Sequence, residues 1–308
     1  MQVLLAGATG AIGRPLIRAL TAHGHHVTAI VRNPAAHPLV RELGAEPIAA
    51  DVLDRDGLLT ALEGRRADAV IHEATALREA KVQRRVPADD PTNLLRTVGS
   101  ANLLDAAELV GARRFLTQSL ILGYGYRDHG ERPLTEGDPF GVCAGGAADE
   151  VVRACVSAEN QVFEAPLEAI ALRYGLFYGP GAFSDLFGDM MRRRRPVGPW
   201  GTGGVNSWLH VADAAAATVA ALERGVPGRA YNLADDTPIS WAEFFGEVSR
   251  AQRTPRPIRL PVWLVRLGVP YIAALMADTS MRISSELARA ELDWQPRYAS
   301  VADGLSAG

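Results

Sequence analysis

Met1-Gln-Val-Leu-Leu-Ala-Gly7-Ala-Thr-Gly10-Ala-Ile-Gly13 is the stretch from which the fold can be read. Residues 3–6 are continuously apolar, which predicts a buried strand, and helical spacing sets in near Ala11. Between the two, Gly7, Gly10 and Gly13 form a GxxGxxG turn. Glycine lets backbone approach an anion with no Cβ in the way. The helix behind it presents unpaired N–H groups at its positive end. Such a turn can hold a pyrophosphate. The same spacing also serves as a plain tight turn. Because it follows a strand and opens a helix, we read it as a dinucleotide site.

The rhythm continues outward from that turn. Apolar runs at residues 3–6, 27–31, 47–50, 69–72 and 114–118 alternate with helical patterns near residues 11–22, 34–43, 56–63 and 92–109. A sixth strand is expected at 168–173 after a helix near 149–164. This predicts an α/β fold, a doubly wound parallel Rossmann-type sheet with helices on both faces. After Tyr174 the pattern changes, with a break at Gly179-Pro180-Gly181 and a Pro/Gly-rich stretch to Gly204. We expect a dinucleotide-binding domain over 1–175, with returning elements near 205–235, and a smaller C-terminal substrate domain over 176–308. Helices are expected to start near Val211 and Ser240. Residues 260–277, interrupted by Pro261, Arg266, Gly268 and Pro270, read as two short buried helices rather than a membrane span.

Bulk composition excludes more than it assigns. The 308 residues are 48% hydrophobic and 22% charged with a net charge of −3, which points to no nucleic-acid or membrane partner. Cys143 and Cys155 make neither a disulfide framework nor a metal cluster, so a cytoplasmic location and no metal are expected. Arg192 to Arg195 read as a solvated helix end, with phosphate contact as the lesser alternative. The chain has one lysine, Lys81.

The second strand addresses the cofactor. An NAD site places Asp or Glu at its end for the ribose hydroxyls, whereas this chain has Val31-Arg32-Asn33. The Arg32 guanidinium suits a 2′-phosphate, so NADP is expected ahead of NAD. Arg32 also reads as an ordinary surface arginine. Asp51 is placed to accept from an adenine amino group, and reads equally as a helix cap.

These residues resemble the extended short-chain dehydrogenase/reductase family, also called the NAD-dependent epimerase/dehydratase family. The resemblance runs through 7–13, His72-Glu-Ala-Thr75, Gly99-Ser-Ala-Asn-Leu-Leu104, Arg114-Phe-Leu-Thr-Gln-Ser119, Leu172-Arg173 with Tyr178-Gly-Pro-Gly181, and His210-Val-Ala-Asp213. It ends with Leu292-Asp-Trp-Gln-Pro296 and Asp303-Gly-Leu305. It implies cofactor contacts from Gly7, Thr9, Gly10, Ala11, Ile12 and Gly13, from Arg32, Asp51 and Val52, and from Ala74 and Thr75. It also implies a Ser-Tyr-Lys catalytic set, in which lysine holds the ribose and lowers the tyrosine pKa. This chain departs from the set throughout. Leu120 stands at the serine position, and Val151 and Cys155 at those of tyrosine and lysine. Leu77 lies four residues before Lys81, so no Tyr-x-x-x-Lys exists anywhere.

Residues that could replace the set are expected at strand ends, where ligands bind in such sheets. Tyr174, Glu73, Ser119 and Tyr124 are the candidate catalytic residues; Glu73, if buried, would have a raised pKa. For Tyr174 and Glu73 a structural role is an equal reading. Tyr126, Asp128 and His129 follow on a loop, the latter two read as exposed, and His210 reads as support for a helix start. Trp200, Asn206 and Trp208 are candidates for lining a substrate cleft or for core. Three functions stay open: NADP-dependent reduction or oxidation of a sugar-like or secondary-metabolite substrate with a non-standard proton donor, a non-redox isomerase or cyclase, and an NADP-binding sensor. A homodimer through helices near 92–109 and 149–164 is implied by the resemblance.

Overall fold

The computed structural model describes residues 1–77 and 83–307; Lys81 lies outside them. The first half is β1 (Gln2–Ala6), α1 (Gly13–Ala22), β2 (His26–Val31), α2 (His37–Glu42), β3 (Glu46–Ala49), α3 (Arg55–Leu62) and β4 (Ala69–His72). Then follow α4 (Pro91–Leu94), a π-helical turn Leu95–Gly99, α5 (Ser100–Val110), β5 (Arg114–Leu120), α6 (Asp149–Glu164) and β6 (Glu168–Tyr174). The second half holds β7 (Leu176–Tyr178), α7 (Phe183–Arg192), β8 (Pro196–Pro199), β9 (Val205–Asn206), β10 (Trp208–His210), α8 (Val211–Arg224) and β11 (Arg229–Leu233). It closes with β12 (Ile239–Ser240), α9 (Trp241–Ala251), β13 (Ile258–Leu260), α10 (Val262–Gly268), α11 (Pro270–Ala273), α12 (Glu286–Leu292) and α13 (Val301–Ser306).

Seven strands form the central sheet in the order β11-β6-β5-β4-β1-β2-β3, every neighbouring pair parallel. Both faces are covered, as a parallel sheet requires. In β1, Val3 and Leu5 join the core that includes Leu16, Ile17 and Leu20 of α1 and Leu222 of α8. Leu4 and Ala6 alternate to the opposite core with Leu58 of α3 and Leu103 of α5. The strand order reverses between β1 and β4, which puts the switch-point crevice beyond their carboxyl ends.

A third core belongs to the second half. Trp208 stacks on Phe244 at 3.8 Å between ring centroids, with Trp241 and Phe187 packed edge-on beside them. Trp208 is therefore core rather than cleft lining, Asn206 is fully buried, and Trp200 is 60% exposed. The stretch 260–277 does form two short helices, but α10 is not buried. Trp263 and Leu267 are largely exposed, and Val265 alone in that helix is buried. The helix expected near 92–109 is interrupted by the π turn. Arg192 to Arg195 form the exposed end of α7, Arg193 pairing with Asp189 at 3.0 Å. Among the described residues no helix is long and apolar enough to cross a membrane, and no group of three His, Cys, Asp or Glu side chains could hold a metal ion.

Candidate active site

The glycine turn sits between β1 and α1, pressed against the end of β4. Gly7 has φ +96, and a Cβ there would lie 2.3 Å from the Glu73 carbonyl carbon. A Cβ on Gly13 would lie 2.1 Å from Gly7 O. Chain packing thus explains these two glycines. Gly10 differs: its φ is not positive, and a Cβ would meet only Gly7 O, at 3.2 Å. Its outward side is bare backbone. No side chain caps α1, and its first turn has no acidic residue. Arg14 N reaches Gly10 O at 3.4 Å, Leu16 N is bonded to Ile12 O and Pro15 has no N–H, which leaves the Gly13 N–H at the head of α1 for an anion. The residues present fit a pyrophosphate.

The other expected cofactor contacts ring the same crevice. Asp51 is half-buried and accepts from Leu53 N at 2.9 Å, while the Val52 carbonyl accepts from Asn102 at 2.8 Å. Arg32 is exposed just past β2, where Asn33 accepts from Ala35 N. Ala74 is buried and Thr75 exposed beyond β4.

Glu73 and Tyr174, two of the expected catalytic residues, meet each other under this crevice. Tyr174 Oη lies 2.7 Å from Glu73 Oε1 and 2.7 Å from Thr218 Oγ1, and Thr218 donates to Ala214 O at 2.8 Å. Burial raises the Glu73 pKa from the ordinary 4.5 to about 8. Tyr174 donates to Glu73 Oε1, which works against the effect of burial, and Glu73 Oε2 is buried without a partner. Burial, with Glu73 beside it, holds the Tyr174 phenol well above its usual range. Neighbouring His72 donates through Nε2 to Leu95 O (3.0 Å) and accepts at Nδ1 from Ala74 N (3.3 Å); burial lowers its pKa to about 4.

Tyr124 is enclosed further along. It accepts from Arg173 Nη1 at 3.0 Å and faces Asn232 Oδ1 at 2.9 Å and Thr135 O at 3.0 Å. Arg173 in turn grips Glu159 on α6. Ser119 is fully buried, its Oγ without a partner. At the positions implied for Ser-Tyr-Lys stand half-buried Leu120, buried Val151 and fully buried Cys155, whose thiol is raised by burial. His210 caps α8, its Nδ1 accepting from Ala212 N.

Sequence reasoning missed Arg96. The π turn directs it inward until the residue is 2% exposed. Its charge reaches Tyr126, Tyr271, Cys155 and His72. The signal was present: Arg96 is spaced i, i+3, i+4 and i+7 with Gly99, Ser100 and Leu103, all buried.

Sheet order, switch-point turn and helix layers define a doubly wound Rossmann-type protein. The chain belongs to the NAD dependent epimerase/dehydratase family, whose model matches residues 3–234. Membership makes it an enzyme of the short-chain dehydrogenase/reductase type. A 3-diazoavenalumate denitrifying reductase from a Streptomyces species is 36% identical over 99% of each chain. A ceramide reductase from Caulobacter vibrioides is 28% identical over 98% of this chain and 88% of that one. The fold matches UDP-glucose 4-epimerase of Thermotoga maritima, with a TM-score of 0.79 and 20% identity over 99% of this chain and 96% of that one. It equally matches UDP-glucuronic acid 4-epimerase of Bacillus cereus, solved with NAD: TM-score 0.79, 20% identity, 100% and 97% covered.

Proposed function

We propose that this chain is an NADP-dependent reductase whose substrate accepts hydride without a proton from a protein tyrosine. The observation that carries the reading is the pairing of a fitted cofactor turn with Leu120, Val151 and Cys155 at the three catalytic positions. None of these can move a proton as a tyrosine–lysine pair does. Glycines 7, 10 and 13 and the start of α1 would hold the pyrophosphate, with Arg32 at a 2′-phosphate. Bound there, the nicotinamide supplies a hydride.

A carbonyl acceptor needs a proton as it is reduced. A diazonium acceptor does not: R–N₂⁺ + NADPH → R–H + N₂ + NADP⁺ balances with no net proton. The diazo name of the 36%-identical relative supports this substrate class. The protein then has only to bind, orient and exclude water.

We assign Tyr174, bonded to Glu73 Oε1 and Thr218, to the inner packing of the sheet and Tyr124 to the Arg173–Glu159 network. Ser119 is kept as a substrate contact. An acid–base isomerase or cyclase working through Glu73, whose Oε2 is buried and unpartnered, stands second, and a sensor third. Fluorescence titration tests the cofactor half of the reading. NADPH is expected to bind at least tenfold more tightly than NADH; binding of neither would overturn it.

A further inference from the structure

Arg96 is a buried charge with an unusual deficit. Its Nε and Nη2 are both buried, and neither has a hydrogen-bond partner. Among the described residues no carboxylate forms an ion pair with it. Holding a guanidinium out of water without a counter-charge is costly, so its retention calls for a reason.

The identity of the two nitrogens is informative. Nε and Nη2 form one edge of the guanidinium, the edge that meets a carboxylate with two parallel bonds. This molecule displays that geometry elsewhere: Arg173 bonds Glu159 through Nε at 2.9 Å and Nη2 at 2.7 Å. Arg96 presents the same edge with no carboxylate of the chain on it. Tyr126 Oη, beyond β5, is also buried; the Tyr271 hydroxyl stands beside it, and the Arg96 charge acts on both phenols. The Tyr126 ring lies 6.0 Å from that of Tyr271, on α11 of the second half. Fully buried Cys155 of α6 completes the surroundings at the position implied for the lost lysine. The cluster therefore lies beyond the carboxyl ends of β4 and β5, between the sheet and the second half.

We propose that the Nε–Nη2 edge of Arg96, with the Tyr126 hydroxyl, is the binding site for a carboxylate of the substrate. The inference rests on the reductase reading and names a feature its substrate must carry: an anionic oxygen pair. A short neutral ligand atom could satisfy one donor but leave the guanidinium edge unpaired.

Isothermal titration of the full chain with benzoate, benzamide and phenyl phosphate tests this directly. Benzoate is expected to bind at least tenfold more tightly than benzamide. Arg96→Met should abolish that preference, and Arg96→Lys should restore part of it. Arg96→Met should also melt no lower than the parent, because it removes an unpaired buried charge; this keeps loss of binding distinct from loss of folding. Equal binding of benzoate and benzamide, or a preference unchanged in Arg96→Met, would overturn the site. Tighter binding of phenyl phosphate than of benzoate would overturn the assignment to a carboxylate. A chain that selects benzoate through Arg96 yet never oxidises NADPH keeps the site and loses the reductase reading. One that reduces aryl diazonium ions with and without a carboxylate equally well keeps the reading and loses the site.

Discussion

Glu73 shows how far one residue's chemistry can be read before its neighbours are known. It interrupts an apolar strand end, and burial raising its pKa follows from position alone. Its partner does not, because Tyr174 lies 101 residues further along the chain. Burial, which outweighs the opposing hydrogen bond from Tyr174, raises the Glu73 pKa to about 8 and favours a neutral acid. A folded-state pKa of about 8 against an ordinary 4.5 means the folded protein keeps the proton longer than the unfolded chain. Its stabilising contribution is complete below about pH 4.5 and is lost as pH rises through 8. Asp235, also raised to about 8 mainly by burial, acts in the same direction, so the comparison must be with a Glu73 variant. Glu73→Gln keeps the shape and cannot ionise. Thermal melts from pH 5 to 9 should show the variant gaining on the parent as pH rises, by a few °C at pH 8–9. A constant offset would mean Glu73 is not neutral in the folded state. Arg96 makes the complementary point. Its spacing on the buried stripe was legible, but a π turn leaves no mark in composition, so its unpartnered edge appears only in three dimensions.

At the scale of elements, apolar runs located the central strands because a parallel sheet buries both faces of each. The run at 69–72 and the helix at 149–164 match β4 and α6 residue for residue. The exposed face of α10 was misread, since hydrophobic composition says nothing about whether a covering element is nearby. The glycine turn can be divided further. Gly13 is fixed by packing, whereas Gly10 has room for a methyl group at the cost of a tight 3.2 Å contact with Gly7 O. Gly13→Ala should therefore destabilise the fold or prevent it. Gly10→Ala should fold, melt within a few °C of the parent, and bind NADPH at least tenfold more weakly, about 1.4 kcal/mol. Melting curves beside fluorescence titrations separate the two. Full-strength NADPH binding by Gly10→Ala would mean the nucleotide does not approach that backbone.

Across the whole molecule, the order of strands and helices fixed the sheet and its crevice, and family motifs span nearly the entire chain. The chemistry was less legible because it was signalled by what is missing. We propose that Leu120, Val151 and Cys155, at the positions the family resemblance implies for serine, tyrosine and lysine, leave the nucleotide turn without the usual proton transfer. We propose that the crevice at the switch point binds NADP, that the cleft between sheet and second half binds the substrate, and that the chain dimerises through the α5 and α6 faces. Proton counting tests the central claim most directly. NADPH oxidation is followed optically while a pH-stat measures acid uptake, first with an aryl diazonium salt lacking a hydroxyl group and then with a ketone. Aryl ions are used because alkyl diazonium ions lose nitrogen at once, and an enzyme-free control is subtracted. The account predicts dinitrogen release matching NADPH oxidation with no proton taken up, and no turnover of the ketone. Ketone reduction with one proton taken up per NADPH, or turnover of either substrate without nicotinamide, would contradict it.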